Sequence, residues 1–133
     1  MVGIIIVTHG KFGEELVRSA EMITGKQEYI STASFMPGEL TEDLSKKIRS
    51  AFDELVDCEK ILVFADIYGG SPFNCVMPIL KERQFQCISG VNLPLLVEAF
   101  LNRDSMDATE LNQLCMTMCH QTIKDISGII QCN

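Results

Sequence analysis

The sequence predicts an α/β domain in which an open parallel sheet is covered by helices on both faces. Two segments, 3–7 and 60–66, are almost continuously apolar and rich in aliphatic residues. Such runs are typical of parallel strands buried on both faces, because a strand with one wet face would alternate apolar and polar residues. Apolar residues at helical spacing follow each run. Strands that alternate with helices in this way predict right-handed crossovers between parallel strands.

The first half of the chain contains two strand–helix pairs. The run within Gly3–Gly10 is the first predicted strand, and residues 11–24 form a first helix that stops at the following glycine. Tyr29–Phe35 alternates and favours a second strand, which runs into a turn at Met36-Pro37-Gly38. Thr41 is the predicted N-cap of a second helix. The apolar stripe of that helix consists of Leu44, Ile48, Phe52 and Leu55.

The third strand is predicted over residues 60–66, and a glycine-rich loop after it leads into a third helix that ends near Arg83. We expect Ser71 to be the N-cap of this helix and Pro72 its first residue. Pro78 falls in the helix interior, where it removes one backbone hydrogen bond. This predicts a kink or an early break.

The last part of the chain supplies one more strand and two helices. Phe85–Ser89 is the fourth predicted strand, and a short helix over Leu95–Asn102 follows the loop Gly90–Pro94. A longer helix is expected to begin at Asp107 or Thr109. Ile126–Ile130 is a short apolar tail interrupted by a glycine, and it is predicted as an edge strand.

Four parallel strands connected in this way give a flavodoxin-like sheet with the order 2-1-3-4. Strands one and three are neighbours in this order, at the point where the winding of the sheet reverses. His9 ends strand one and Asp66 ends strand three. Because ligands bind outside the carboxyl ends of the strands at such a point, we expect both side chains at a functional site.

Length and composition indicate one globular domain over residues 1–133. The net charge of −7 argues against nucleic-acid binding, which depends on clustered lysine and arginine. Neither a signal peptide nor a membrane span is visible, so a cytoplasmic protein is expected. The six cysteines are predicted to be reduced and mostly buried. Cys115, Cys119 and His120 lack the spacing of a zinc site, so no metal is predicted.

The expected site suits nucleophilic chemistry at His9. If Asp66 accepts a hydrogen bond from Nδ1–H, the Nε2 lone pair of His9 is free, and the carboxylate stabilises positive charge on the ring. The loop at Gly69-Gly70-Ser71 offers backbone N–H groups and a hydroxyl at a helix N-terminus, which favours an anion. The predicted phosphate-binding residues are Gly10, Gly69, Gly70 and Ser71. Together these features predict phosphoryl transfer through a phosphohistidine, with no cofactor and no metal.

The sequence resembles the EIIA domain of the mannose-type sugar phosphotransferase system over nearly its whole length. The motifs that carry the resemblance are Ile6-Val7-Thr8-His9-Gly10, Phe35-Met36-Pro37-Gly38-Glu39, Asp66-Ile67-Tyr68-Gly69-Gly70-Ser71-Pro72-Phe73-Asn74 and Gly90-Val91-Asn92-Leu93-Pro94.

The resemblance implies a phosphoryl relay. His9 would accept a phosphoryl group from the phosphocarrier HPr and pass it to an EIIB domain, which phosphorylates sugar that enters through the EIIC/EIID membrane complex. Asp66 would orient His9, and Ser71 would lie near the phosphoryl group. The resemblance also implies a homodimer in which the subunits exchange the C-terminal strand, Ile126–Ile130. Because no linker or EIIB domain follows in the 133 residues, we expect EIIB on a separate chain.

Three other functions remain as alternatives. A related EIIA branch serves dihydroxyacetone kinase, but it lacks the full Gly-Gly-Ser-Pro-Phe-Asn loop. A receiver domain would be phosphorylated on Asp66, but it would need an acidic pair after strand one, where Thr8-His9 stands. The third alternative is a flavodoxin-like module that binds a ligand without catalysis. The sugar itself is not identifiable from this sequence.

Overall fold

The computed structural model describes residues 1–131 and contains one four-stranded parallel sheet with the order β2-β1-β3-β4. This is the predicted order. Cys132, which the sequence predicts to be reduced, lies outside the described residues. The elements are β1 Gly3–His9, α1 Phe12–Thr24, β2 Ile30–Phe35, α2 Thr41–Glu54, β3 Ile61–Ala65, α3 Ser71–Glu82, β4 Gln86–Ser89, α4 Leu93–Asn102 and α5 Ala108–Met118, followed by 3-10 turns at Cys119–Gln121 and Ile129–Gln131.

The central strand β1 is buried on both faces of the sheet. Ile4 and Ile6 contact one apolar core, to which α1, α4 and α5 contribute. Ile5 and Val7 contact a second core, formed with α2 and α3. All four side chains are fully buried, and each contributes about 1.5–3 kcal/mol relative to an exposed position. This double burial explains why the strand is β-branched at every one of these positions.

Several helices begin one residue away from the predicted start. The prediction of Thr41 as N-cap is wrong, because Leu40 is the cap residue and Thr41 is the first residue of α2. The carboxylate of Asp43 accepts from the Leu40 amide at 2.9 Å and so satisfies the exposed N–H group from inside the helix. At α3, Gly70 is the cap residue and Ser71 is the first helical residue, so that prediction is also shifted by one.

Pro78 does not end α3, which continues to Glu82. Of the two expected effects, the early break is therefore wrong, and the kink stays a prediction. A proline in a helix interior forfeits one hydrogen bond, but the buried side chains of Cys75, Val76 and Ile79 hold this helix against the sheet.

The last helix begins at Ala108, and Asp107, one of the two predicted start positions, is its cap residue. Asp107 caps α5, since its side chain accepts from the Glu110 amide at 2.9 Å, while Glu110 accepts from the Asp107 amide at 3.2 Å. This reciprocal arrangement is a capping box.

The predicted C-terminal edge strand is not part of the sheet in the described chain. Residues 126–128 form a turn region, and Ile129–Gln131 form a 3-10 turn. Ile126, Ile129 and Ile130 are all more than 60% exposed. An extended segment needs a neighbouring strand to satisfy its backbone groups, and this tail pairs with neither β2 nor β4. Within residues 1–131, no helix is long and apolar enough to cross a membrane.

Candidate active site at the carboxyl edge of the sheet

A rigid turn between β1 and α1 places His9 at the carboxyl edge of the sheet. Thr8 is fully buried, and its Oγ1 accepts a hydrogen bond from the Gly13 amide at 2.8 Å. This bond satisfies one free N–H group in the first turn of α1, a task that the cap residue itself does not perform. Gly10 adopts a φ of +54°, which allows the abrupt change of direction. The His9 side chain remains half exposed.

Asp66 lies directly beside His9, as the strand order predicts. Its Oδ2 atom lies 2.8 Å from His9 Nδ1 and accepts from the His9 backbone amide at 2.8 Å. Its Oδ1 atom accepts from the Ile67 amide at 2.9 Å. Because an ionised carboxylate only accepts hydrogen bonds, this geometry places the proton of neutral His9 on Nδ1 and leaves a lone pair on Nε2.

Gly70 forms one wall of the site by packing against the histidine ring. A Cβ atom at Gly70 would lie 3.0 Å from His9 Cε1, 2.9 Å from the Ile67 side chain and 3.7 Å from Nε2. Only glycine fits this position without a shift of its neighbours. The edge of the imidazole that carries Cε1 and Nε2 therefore lies next to the N-terminus of α3, a contact that the sequence pattern does not predict.

The start of α3 provides donors for an anion. Within residues 1–131, the amides of Gly70 and Ser71 donate to no protein acceptor, and such groups at a helix N-terminus attract negative charge. Gly69 has a φ of +84°, which shapes the turn into the helix. Ser71 is half-buried beside Gly70.

Gly10 does not fit its predicted role as a phosphate ligand. Its amide donates to the Phe35 carbonyl at 2.8 Å and is therefore already satisfied. The contribution of Gly10 is the left-handed turn that follows His9, while the free donors belong to the loop before α3.

The opposite wall of the site is the segment Phe35–Glu39. Together with His9 and Gly10 it lines an open cavity of about 280 Å³. The Phe35 ring meets the His9 ring edge-on at a centroid distance of 6.3 Å. Met36 and Glu39 close a turn, since the Glu39 amide donates to the Met36 carbonyl at 3.1 Å and Glu39 Oε1 accepts from the Met36 amide at 2.6 Å. The cavity is open and the His9 side chain is half exposed, so the ring is accessible to a partner.

A second network extends from this wall to α2 and was missed by the sequence analysis. Lys47 Nζ donates to Glu39 Oε1 at 2.7 Å and to the Ser34 carbonyl at 2.9 Å. The sequence carries no local signal for it, because Lys47 is eight residues from Glu39 and thirteen from Ser34.

The cysteines and the second histidine lie outside the site. The five described cysteines form no disulfide, and burial raises the pKa of Cys87 and of Cys115 to about 11. Their thiols are therefore protonated and unreactive at neutral pH. Within residues 1–131, no group of three or more histidine, cysteine, aspartate or glutamate side chains is arranged to hold a metal ion. His120 is exposed, in the turn after α5.

Comparison with known proteins identifies the family. Residues 3–116 match the family model EIIA-man, described as the PTS system fructose IIA component. The chain belongs to this EIIA family. It is 38% identical over 104 residues to the mannose-specific EIIAB component of Escherichia coli K12, an alignment that covers 77% of this chain and 32% of that protein. The chain thus spans about a third of the length of the first curated relatives that it matches.

Two further relatives are similar to this chain over most of their length. The fructose-specific EIIA component of Bacillus subtilis is 30% identical over 93% of this chain and 86% of its own. The crystal structure of an EIIA component from Streptococcus agalactiae superposes with a TM-score of 0.86 at 34% identity, and it covers 96% of this chain and 98% of that one. The matched segment contains β1 to α4 and nearly all of α5, and therefore the whole site around His9.

Proposed function

We propose that this EIIA protein relays a phosphoryl group through His9, from the phosphocarrier HPr to an EIIB partner on a separate chain, during sugar uptake through an EIIC/EIID membrane complex. The observation that carries the proposal is the 2.8 Å contact between Asp66 Oδ2 and His9 Nδ1, beside unpaired amides at the start of α3. A nucleophile, an orienting carboxylate and an anion site are the three parts that phosphoryl transfer to histidine requires.

The reaction follows from the protonation state of His9. The Nε2 lone pair attacks phosphorus in the phosphohistidine of HPr as the donor N–P bond breaks, and the electrons of that bond return to the donor imidazole. His9 keeps its proton on Nδ1, so the phosphorylated ring carries positive charge that Asp66 stabilises. The amides of Gly70 and Ser71 are placed to bind the phosphoryl oxygens. Attack by the EIIB nucleophile then reverses these steps.

The proposal is tested by the stability of the phosphorylated product. The protein is incubated with phosphoenolpyruvate, Enzyme I and HPr, and the product is treated with acid or with hydroxylamine. A phosphohistidine is lost in acid and survives hydroxylamine, whereas a phosphoaspartate is cleaved by hydroxylamine. We expect the first pattern, one phosphoryl group per chain by mass spectrometry, and no change on addition of EDTA once phospho-HPr has been made.

A pair of variants localises the phosphoryl group. His9→Ala should abolish the labelling, while His120→Ala should leave it unchanged, because His120 lies outside the site. Labelling that persists in His9→Ala would contradict the proposal, as would a product that is stable in acid.

The homodimer is also proposed. Its support within this chain is the set of exposed isoleucines that follow α5, since these side chains have no core to enter in the described chain. Exchange of the C-terminal segment between two copies would cover these isoleucine side chains.

A further inference from the structure

An ion pair fixes the wall of the site that faces the α3 N-terminus. Lys47, on α2, donates both to Glu39 and to the carbonyl of Ser34 at the end of β2. The same oxygen of Glu39 accepts from the Met36 amide. One lysine therefore joins the helix, the strand end and the turn, and all three of these contacts are 2.6–2.9 Å long.

The position of Glu39 creates an electrostatic conflict that Lys47 resolves. Glu39 and His9 line the same cavity, and His9 has to receive a phosphoryl group that carries negative charge. Two negative groups in one partly enclosed site repel each other. The ammonium group of Lys47 neutralises the Glu39 carboxylate. It also holds this carboxylate within the Met36–Glu39 turn, where Glu39 accepts from the Met36 amide.

The Lys47–Glu39 pair is less exposed than the other ion pair on α2. The side chains of Lys47 and Glu39 are 38% and 23% exposed, whereas the two partners of the Arg49–Glu82 pair are each 52% exposed. The hydrogen bond from Lys47, and after it the one from Met36, lowers the pKa of Glu39 below its usual value. Glu39 is therefore ionised throughout the neutral range, and its negative charge lies in the cavity that His9 also lines.

We propose that Lys47 and Glu39 are positioning residues for phosphoryl transfer: Lys47 holds the Glu39 carboxylate away from the phosphoryl position and fixes the Phe35–Glu39 wall against which the donor protein docks. This inference rests on the proposed function, because it concerns the same His9 site. Lys47 then affects the binding of the phosphorylated donor, whereas His9 and Asp66 carry out the transfer step. Loss of Lys47 should therefore raise KM for the donor more than it lowers kcat.

The test measures initial rates of phosphoryl transfer from purified phospho-HPr over a range of concentrations. Lys47→Met should raise KM by about tenfold, the effect of one lost charge-assisted contact, while kcat falls by less. Lys47→Arg should restore most of the affinity, because it keeps the charge. Glu39→Gln removes the carboxylate but keeps an oxygen that can accept from the Met36 amide, so it should raise KM less than Lys47→Met does.

The double variant separates charge from simple loss of packing. If the freed carboxylate causes the defect, Lys47→Met combined with Glu39→Gln should have a lower KM than Lys47→Met alone. Arg49→Met is the matched control on the same helix, and it should behave as wild type. Thermal unfolding of every variant shows that the comparison is made between folded proteins.

Two results would overturn the inference. The first is a Lys47→Met protein with the KM of wild type, and the second is a double variant no better than Lys47→Met. Both results differ from failure of the proposed function. If that function is wrong, the wild-type protein itself will accept no phosphoryl group from phospho-HPr.

Discussion

At the scale of single residues, the site depends on one carboxylate with two tasks. Asp66 Oδ2 meets both the ring and the backbone amide of His9, so Asp66 sets the tautomer and also fixes the end of β1. Its side chain is only 11% exposed. In the proposed phosphohistidine, a charge in such a position would stabilise the positive ring more strongly than an exposed carboxylate could.

The variant Asp66→Asn tests this role. The amide keeps the size of the side chain but removes the charge, so phosphohistidine should still form with kcat lowered by about 100-fold. Rapid-quench measurement with phospho-HPr gives the rate. Asp57→Asn, at an exposed position, removes the same charge and should have no effect. Loss of phosphorylation together with loss of folding would instead show that Asp66 is a structural residue.

At the scale of elements, the buried guanidinium of Arg103 joins segments at the opposite end of the sheet from His9. Arg103 follows α4 and is 1% exposed. It donates to the Val2 and Tyr29 carbonyls at 3.3 Å, to the Glu28 carbonyl, and to Gln27 Oε1 at 3.1 Å. These contacts hold Tyr29 in a left-handed conformation with a φ of +57° just before β2.

Removal of Arg103 should therefore destabilise the fold without altering the chemistry. Arg103→Met removes the donors to the Val2 and Glu28 carbonyls and to the Gln27 side chain, and we expect the free energy of unfolding to fall by about 2–4 kcal/mol. Urea denaturation measures the change. Arg18→Met, which breaks an exposed ion pair with Glu15, should cost about 0.5 kcal/mol or less. Equal stability of the two variants would contradict this role, and phosphorylation of the folded Arg103→Met protein should remain normal.

The sequence predicts those features of the fold and site that are determined by residues close together in the chain. It does not predict contacts between segments that meet only in space. The double-sided burial of Ile4–Val7 leaves a direct pattern in the sequence. The alternation of strands with helices predicts the strand order, so the meeting of His9 and Asp66 was predictable. The start of α2 was misplaced because the cap contact comes from Asp43, inside the helix. The contact between Gly70 and the His9 ring depends on how two loops meet in space, and no spacing rule encodes it.

At the scale of the whole molecule, the tail after α5 exposes apolar side chains that the core of the described chain does not bury. Ile123, Ile126, Ile129 and Ile130 are 84%, 68%, 66% and 85% exposed. Burial of each is worth roughly 1.5–3 kcal/mol, so together they can offset the several kcal/mol that association costs. The sequence predicts an extended strand here, whereas the described chain has a 3-10 turn at Ile129–Gln131.

The proposed homodimer is tested by charge placed on this tail. Ile129→Asp combined with Ile130→Asp should convert a dimer into a monomer, as measured by light scattering during gel filtration, because carboxylates cannot be buried at an apolar interface without a large cost. Val56→Asp, at another exposed apolar position, should leave the mass unchanged. Because His9, Asp66, Gly70 and Lys47 all come from one chain, the monomeric variant should still accept phosphoryl groups from HPr. A wild-type protein that is monomeric at micromolar concentration would contradict the proposed dimer and leave the relay through His9 intact.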